Sequence, residues 1–422
     1  MKKVIVIGGG AAGMAAALAA AGSGASAVIL EKNEKLGKKL FITGKGRCNL
    51  TNAADMKEVQ DHVVSNPRFL FSAFRAFTNA DIMRLVEENG CPLKTERGAR
   101  VFPVSDHSWD VINALERALK KAGVRVRLNT PVKKLLTEPY DSGDEKKGQD
   151  RRITGVLLGG GEVLEADAVI LATGGLSYPS TGSDGDGHRF AEETGHRITE
   201  TFPSLVPMNV KEHAAGELMG LSLRNVEIRV LDGGKEKYRE FGEMLFTHFG
   251  VSGPVILSAS AVTGPLLKKK ELKLSIDLKP ALTEEQLDRR ILRDFSGTLN
   301  KDLRNALTDL FPARLIPEVL FQAELDPSTK VRDVTKEERG RLVRTAKGLT
   351  FTLTGLRGFS EAIVTKGGVS IKEADPSTMQ SRKVKGLYFA GELLDLDAMT
   401  GGFNLQIAWS TGYLAGKSAA GC

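Results

Sequence analysis

The sequence predicts an α/β chain built around a parallel, doubly wound sheet and carrying a β-rich insertion, on three observations. An apolar run at residues 3–8 leads through Gly8-x-Gly10-x-x-Gly13 into an Ala-rich helix over 11–23, and Ala27-Val28-Ile29-Leu30 reads as a second buried strand. Near residue 196 the character changes to short alternating segments such as Val226–Val230 and Leu272–Ile276. A buried strand pattern then returns at Gly386–Phe389, followed by Gly401-Gly402 and a closing helix, so both ends of the chain belong to one domain.

The remaining elements follow in order. A polar–apolar mixture from about 55 to 122 reads as helical. Val124–Leu128 alternates as a strand, and Pro131–Leu135 continues it. Residues 138–152 are polar and charged and read as a hairpin tip. Ile153–Leu158 and Gly161–Ala166 flank the turn signal Gly159-Gly160. Asp167–Gly175 reads as a buried strand ending in a glycine turn. Between about 281 and 347 the pattern is helical and punctuated by Pro312, Pro317 and Pro327, and a β pattern resumes at Thr350. The expected domains are 1–195 with 363–422, an inserted β-rich domain at 196–280 with 345–362, and a helical subdomain at 281–344.

Composition narrows the class. With 422 residues, 41% hydrophobic and 26% charged, the chain can bury a large core. No apolar run approaches the ~20 residues of a membrane span. Gly8-Gly9-Gly10 interrupts the first apolar stretch after Val4–Ile7, so the start reads as a strand rather than a signal peptide. Cys48, Cys91 and Cys422 lie far apart, with neither a CxxC pair nor metal-ligand spacing, which fits a reduced, cytoplasmic setting and no metal. The formal charge of +7 is spread among 52 acidic residues and comes without a nucleic-acid motif, so a small molecule rather than nucleic acid is the expected partner. One basic stretch, Lys32, Lys35, Lys38, Lys39, Lys45 and Arg47, crowds into sixteen positions just after the first βαβ signal and could hold an anionic cofactor.

The glycine turn from Gly8 through Gly10, Ala11 and Ala12 to Gly13 follows a strand and opens a helix, which lets backbone N–H groups approach a pyrophosphate. Glu31 ends the second strand, 18 residues beyond Gly13, where a carboxylate accepts from ribose hydroxyls and repels a 2′-phosphate. FAD and NAD both fit this first half. The late segment Gly391-Glu392, Asp397, Gly401-Gly402 and Asn404-Leu405 favours non-covalent FAD, which needs a second contact region for its ribityl chain and ring. The N–H groups of the last helix would face negative charge on the N1–C2=O edge of a reduced flavin.

These motifs, together with Glu31-Lys32 through Lys38-Lys39 to Thr43-Gly44-Lys45-Gly46-Arg47-Cys48-Asn49-Leu50-Thr51-Asn52 and Ala172-Thr173-Gly174-Gly175, resemble a bacterial flavoprotein family that holds 3-dehydro-bile acid reductase-like proteins and aminoacetone oxidases. The resemblance covers essentially the whole chain. It implies a glutathione-reductase-like (Rossmann-type) FAD-binding domain with an inserted β-barrel-like domain that contains a small helical subdomain. Val132 would place its backbone at the adenine, Thr43 to Asn49 would lie along the flavin, and Ala172-Thr173-Gly174 would return to the cofactor. The turn Thr181–Ala191 is similar to one in fumarate reductase flavoproteins, without their full set of dicarboxylate-binding Arg and His residues.

Catalytic candidates are fewer. His248, in the polar island Thr247–Pro254, could serve as acid or base, or could simply pack a loop; Arg47 and Tyr178 are alternatives. Cys48 has no partner thiol. The reading that results is an FAD-dependent oxidoreductase passing a hydride through N5 to an unsaturated or carbonyl small molecule. NAD(P)H as donor is what the resemblance implies. The rival readings are an oxygen-dependent amine oxidase and a flavin-bearing, RNA-associated or binding protein.

Overall fold

The computed structural model describes residues 1–141 and 149–422. Among them no helix is long and apolar enough to cross a membrane. Two compact units emerge, Met1–Ser204 with Phe359–Cys422, and Leu205–Gly358.

The first unit is built on a five-stranded parallel sheet in the order Leu387–Phe389, Ala168–Leu171, Lys3–Ile7, Ser26–Leu30, Arg125–Arg127. Four of its five strands are almost wholly buried, as central parallel strands packed under helices must be, and the edge strand Arg125–Arg127 is exposed. The expected α/β class therefore holds. Helix Ala11–Gly22 and the C-terminal helix Phe403–Ala420 lie against one another at contact distance. A Cβ on Gly412 would stand 2.2 Å from the Ala12 carbonyl oxygen, and one on Gly416 would stand 2.0 Å from that of Ala16. Only glycine lets the two backbones approach this closely, and the paired levels 412/12 and 416/16 make the helices run parallel.

That register fixes the site. Nine residues precede Gly412 in its helix and one precedes Ala12 in its own. At ~1.5 Å per residue, the N-terminus of the C-terminal helix stands about 12 Å beyond that of the first helix.

The second unit holds a closed six-stranded antiparallel barrel, ordered Met208–Val210, Gly250–Ser252, Lys235–Thr247, Ser222–Asp232, Leu272–Asp277, Leu349–Leu356. Ile228, Val230, Leu274, Ile276, Phe246, Phe351 and Leu353 fill its core. Helices Glu284–Ser296, Ile316–Gln322 and Lys336–Lys347 follow, the first and last opened by capping boxes at Thr283/Gln286 and Thr335/Glu338.

Several expectations need correction. The units divide at 204/205 and 358/359 rather than 195/196 and 362/363. Strand Phe202–Ser204 pairs with Val364–Lys366, and His196 bonds Ser381, so these flanks stay with the first unit. The stretch 55–122 is not all helix. Leu93–Glu96 and Arg100–Pro103 form a small antiparallel sheet with Thr51–Asn52, too short to show alternation over the surrounding helical pattern. Arg125–Arg127 and Val132–Pro139 are not one strand but members of two sheets. Asn129 at φ 51 and the following Thr130-Pro131 break the chain between them. The flanks of the 138–152 hairpin pair as Glu138↔Arg152 and Pro139↔Arg151, while residues 142–148 of its tip lie outside the described residues.

Candidate dinucleotide site

One cavity of the first unit collects most of the expected cofactor residues. Gly8, Gly10, Ala11, Ala12, Glu31, Lys32, Lys39, Thr43, Val132, Ala172, Thr173, Gly174, Glu392, Asn404 and Leu405 line it. Thr130, Asn33, Thr181, Ser183 and Asp186 also line it, and the sequence reading assigned none of these. The signal for Thr130 was hidden by the false continuous strand. That for Thr181–Asp186 was present as a glycine-rich turn but had no role attached.

The strand end places the turn by close contact. Gly8, at φ 103, would put a Cβ 2.5 Å from the Ala172 carbonyl oxygen, and Gly13 would put one 1.9 Å from the oxygen of Gly8. A Cβ on Gly10, by contrast, would meet nothing within 4 Å. Helix Ala11–Gly22 begins without a side-chain cap and without an acidic residue in its first turn, and so does helix Phe403–Ala420. Their first N–H groups, which have no intrahelical acceptor, bring partial positive charge to the cavity wall. This is the donor chemistry that a pyrophosphate and an electron-rich ring edge require, so the residues present fit FAD.

Glu31 is held by three protein donors. Its Oε2 accepts from the Gly9 N–H (2.7 Å) and its Oε1 from the Asn33 N–H and Nδ2 (both 2.8 Å). A carboxylate offers about four lone-pair positions. One therefore remains for a ribose hydroxyl. Lys32 bonds Asp184 (2.6 Å) and Asp186 (3.0 Å) across the cavity. Burial acts to lower its pKa, but the two carboxylates carry it above the ordinary value.

Deeper in the wall, Lys39 donates to Ser177 Oγ (2.5 Å) and Glu392 Oε2 (2.6 Å). Glu392 also accepts from Ser177 Oγ and the Thr365 N–H. Burial pushes its carboxyl up, yet the Lys39 ammonium and these hydrogen bonds hold it below the usual carboxylate range.

Other expected residues lie off the cavity lining and support it from behind. Gly391 donates its N–H to Thr411 Oγ1. Asp397 is fully buried, paired with Lys366 (3.1 Å) and Ser204. Asn49, with its amide oxygen toward the Gly402 N–H (3.0 Å) and its nitrogen toward the Thr51 carbonyl (3.1 Å), ties the motif to the helix start. Gly401 gives its carbonyl to Asn52 Nδ2. Gly44 and Gly46 shape the turn at φ 58 and 85. Cys48 is buried, and burial pushes its thiol up to about 12. Arg47 bonds Asp106 (2.8 Å from Nε) and Glu96, and stacks 4.1 Å over Phe102.

None of the three catalytic candidates lines the cavity. Tyr178 sits at φ 52 with its N–H on the Phe359 carbonyl. His248 is an exposed residue of the barrel unit, edge-on to Phe249 at the turn before Gly250–Ser252.

The family model described as HI0933-like protein Rossmann domain matches residues 2–418. The chain is 33% identical over 397 residues to the 3-dehydro-bile acid delta(4,6)-reductase of Clostridium scindens, covering 94% of this chain and 93% of that protein. It is 31% identical over 398 residues to the ribosomal RNA dihydrouridine synthase of Haemophilus influenzae (94% and 92% covered) and 30% over 391 residues to that of Escherichia coli (92% and 91%). Among solved structures, 3-ketosteroid delta1-dehydrogenase from Sterolibacterium denitrificans shares the fold with TM-score 0.52 and 16% identity over 100% of both chains.

Proposed function

From the premise that the chain belongs to the HI0933-like Rossmann family and is an FAD-dependent oxidoreductase, we propose that it reduces a carbon–carbon double bond conjugated to a carbonyl. The observation that carries the cofactor half is the pair of uncapped helix N-termini opening on one cavity with an offset of about 12 Å. Bound FAD, once reduced by a donor such as NAD(P)H, would supply the hydride. The Ala11 and Ala12 N–H groups would hold the pyrophosphate, Glu31 would accept from the ribose, and the first turn of Phe403–Ala420 would stabilise negative charge on the ring.

The bond type is supported by what the relatives are named for. The names 3-dehydro-bile acid delta(4,6)-reductase and ribosomal RNA dihydrouridine synthase both fit saturation of a C=C conjugated with a C=O. Hydride goes to the β-carbon and a proton to the α-carbon. A general acid supplies that proton; the sequence candidates His248, Tyr178 and Arg47 do not line the cavity, so each is a candidate to be tested by substitution. The substrate in the first reading is a small unsaturated ketone. In the second it is a uridine of RNA, a reading favoured by two of the relatives' names and by the net charge of +7.

Anaerobic stopped-flow mixing tests the proposal. NADH or NADPH should bleach the flavin absorbance saturably, and the reduced protein should be reoxidised faster by a conjugated enone or by uridine-containing RNA than by air. Bleaching by a small primary amine and by neither nucleotide would replace the reductase with an amine oxidase. His248→Ala should slow reoxidation ~10²–10⁴-fold with FAD retained; a rate within a fewfold of the parent removes His248 from the chemistry.

A further inference from the structure

Beside the cavity, a set of apolar side chains stands exposed on the first unit. The short helix Lys38–Ile42 turns Leu40 inward and leaves Phe41 and Ile42 exposed (41% and 38%). Ser108 Oγ donates to the Phe41 carbonyl (2.7 Å), which brings up Trp109 (43% exposed) in the first turn of Ser108–Lys121. Val104 (56% exposed) stands on the loop just before, beside Asp106 and its bond to Arg47. Exposed apolar groups gathered in one place mark an interaction site.

The charges around them select the partner. Glu96 and Asp106 are engaged by Arg47 and Lys94. Lys35, Lys45, Arg97 and Arg100 are left without a carboxylate within ion-pair distance among the described residues. Lys35 lies 5.2 Å over the Phe41 ring, and Lys45, Arg97 and Arg100 are exposed. Lys45 is held at φ 60 between two glycines, a left-handed conformation that a lysine rarely adopts, at the outer tip of the turn whose Thr43 lines the cavity.

Flat rings for stacking, set among cations free to meet phosphates, are what single-stranded RNA requires. A duplex offers no base faces, and an apolar small molecule has no use for four cations that lack a carboxylate partner, Arg100 meeting the Arg97 carbonyl and the Phe102 ring instead. We propose that this surface docks an unpaired stretch of RNA, bases on Trp109 and Phe41 and phosphates at Lys35, Lys45, Arg97 and Arg100, delivering the base to be reduced past Leu40 and Thr43. The inference rests on the uridine reading of the substrate.

The chain carries its own probe. Of its two tryptophans, Trp409 is fully buried and Trp109 is exposed, so stacking should quench the exposed one. The full-length, FAD-loaded protein is titrated with a short RNA hairpin bearing a uridine-rich loop, followed by tryptophan fluorescence and by anisotropy of end-labelled RNA. Trp109→Ala should weaken binding about 5–150-fold. Lys45→Ala and Arg97→Ala should each flatten the slope of log K against log[salt] by ~0.7. Phe321→Ala, an aromatic 77% exposed on the barrel unit, should change neither. RNA binding that is absent, or equally strong in all four variants, overturns the docking surface, as does binding of anionic phospholipid vesicles in place of RNA. Because binding is read without turnover, reduction of a small enone by a protein that ignores RNA sinks this inference and leaves the reductase standing.

Discussion

The turn Gly8–Gly13 and the run Gly44–Asn52 are both glycine-marked and both carried a cofactor expectation, yet the fold uses them differently. The first opens its backbone onto the cavity through Gly8, Gly10, Ala11 and Ala12. The second turns its Asn49–Thr51 end inward and leaves Lys45 exposed. Trp409 Nε1 donates to the Leu50 carbonyl (2.9 Å), Thr51 Oγ1 to Gln406 (2.6 Å), Asn49 accepts from Gly402, and a Cβ on Gly402 would stand 2.5 Å from the Thr51 carbonyl oxygen. The more distinctive of the two motifs is the clamp that holds the C-terminal helix in place. A run of unusual residues reports that a position is constrained, and only geometry tells whether ligand or protein constrains it.

The sharpest way to break that comparison is inside the first turn. Gly13→Ala drives a Cβ to 1.9 Å from a backbone oxygen, where neither side can yield. It should cost at least ~3 kcal/mol and leave the protein aggregated or colourless. Gly10→Ala has open space around its Cβ and an ordinary φ of −83. It should melt like the parent apoprotein yet fail to retain FAD on gel filtration, since the methyl fills the room meant for pyrophosphate. Equal melting points for the two variants would show that the turn has one role, not two.

Next in size is Glu392→Gln. Removing one partner of a fully buried pair costs ~3–5 kcal/mol. Here the side chains keep 21% and 19% of their surface open, so about 2–4 kcal/mol is expected in apoprotein melting. Because Glu392 has a lower pKa in the fold than in the unfolded chain, its contribution is complete above the ordinary carboxylate range and is lost as pH falls through the lower folded value. The parent should therefore lose stability on acidification in a step that Glu392→Gln lacks. Identical acid limbs would remove the Lys39 pair from the account.

Glu31→Lys comes third. It takes an acceptor from the ribose and from Gly9 and Asn33, and a charge-assisted hydrogen bond is worth about 1.5–3 kcal/mol, or ~10–150-fold in FAD affinity. An unchanged dissociation constant would place the ribose elsewhere.

How much of this was legible in the sequence follows from range. Elements set by local pattern were readable: the βαβ opening, the barrel strands near 226 and 272, the late strand and the closing helix. What escaped depends on contacts distant in the chain. Thr130 reaches the cavity because Asn129 and Pro131 end one strand and begin another in a different sheet, and its N–H bonds the Glu31 carbonyl. Ser177 matters through Lys39 and Glu392, 138 and 215 residues away. The extra strands at 93–96 and 100–103 form because Thr51–Asn52 supplies an edge for them, which no window around residue 95 can show. Glu31 was readable as a strand-end carboxylate, but not the three donors that orient it.

The smallest expected effect is also the most direct test of the second region. Resemblance sets Arg47 along the flavin, while the structure gives its guanidinium to Glu96, Asp106 and the face of Phe102. Arg47, Glu96 and Asp106 are 33%, 30% and 42% exposed, so solvent screens both ion pairs and leaves each worth little, while stacking on the buried Phe102 contributes ~0.5–1 kcal/mol. Arg47→Ala should lower stability by about 1–2 kcal/mol. The loss should shrink in high salt, because screening already weakens exposed pairs in the parent. The FAD dissociation constant and the rate of flavin bleaching should stay those of the parent, since Asn49 and Thr51, not Arg47, fasten the helix whose N-terminus meets the cavity. A large loss of FAD affinity with an unchanged melting point would reverse the assignment: the guanidinium would then leave its carboxylates for the flavin, and the Gly44–Asn52 run would rejoin the first turn as a cofactor contact.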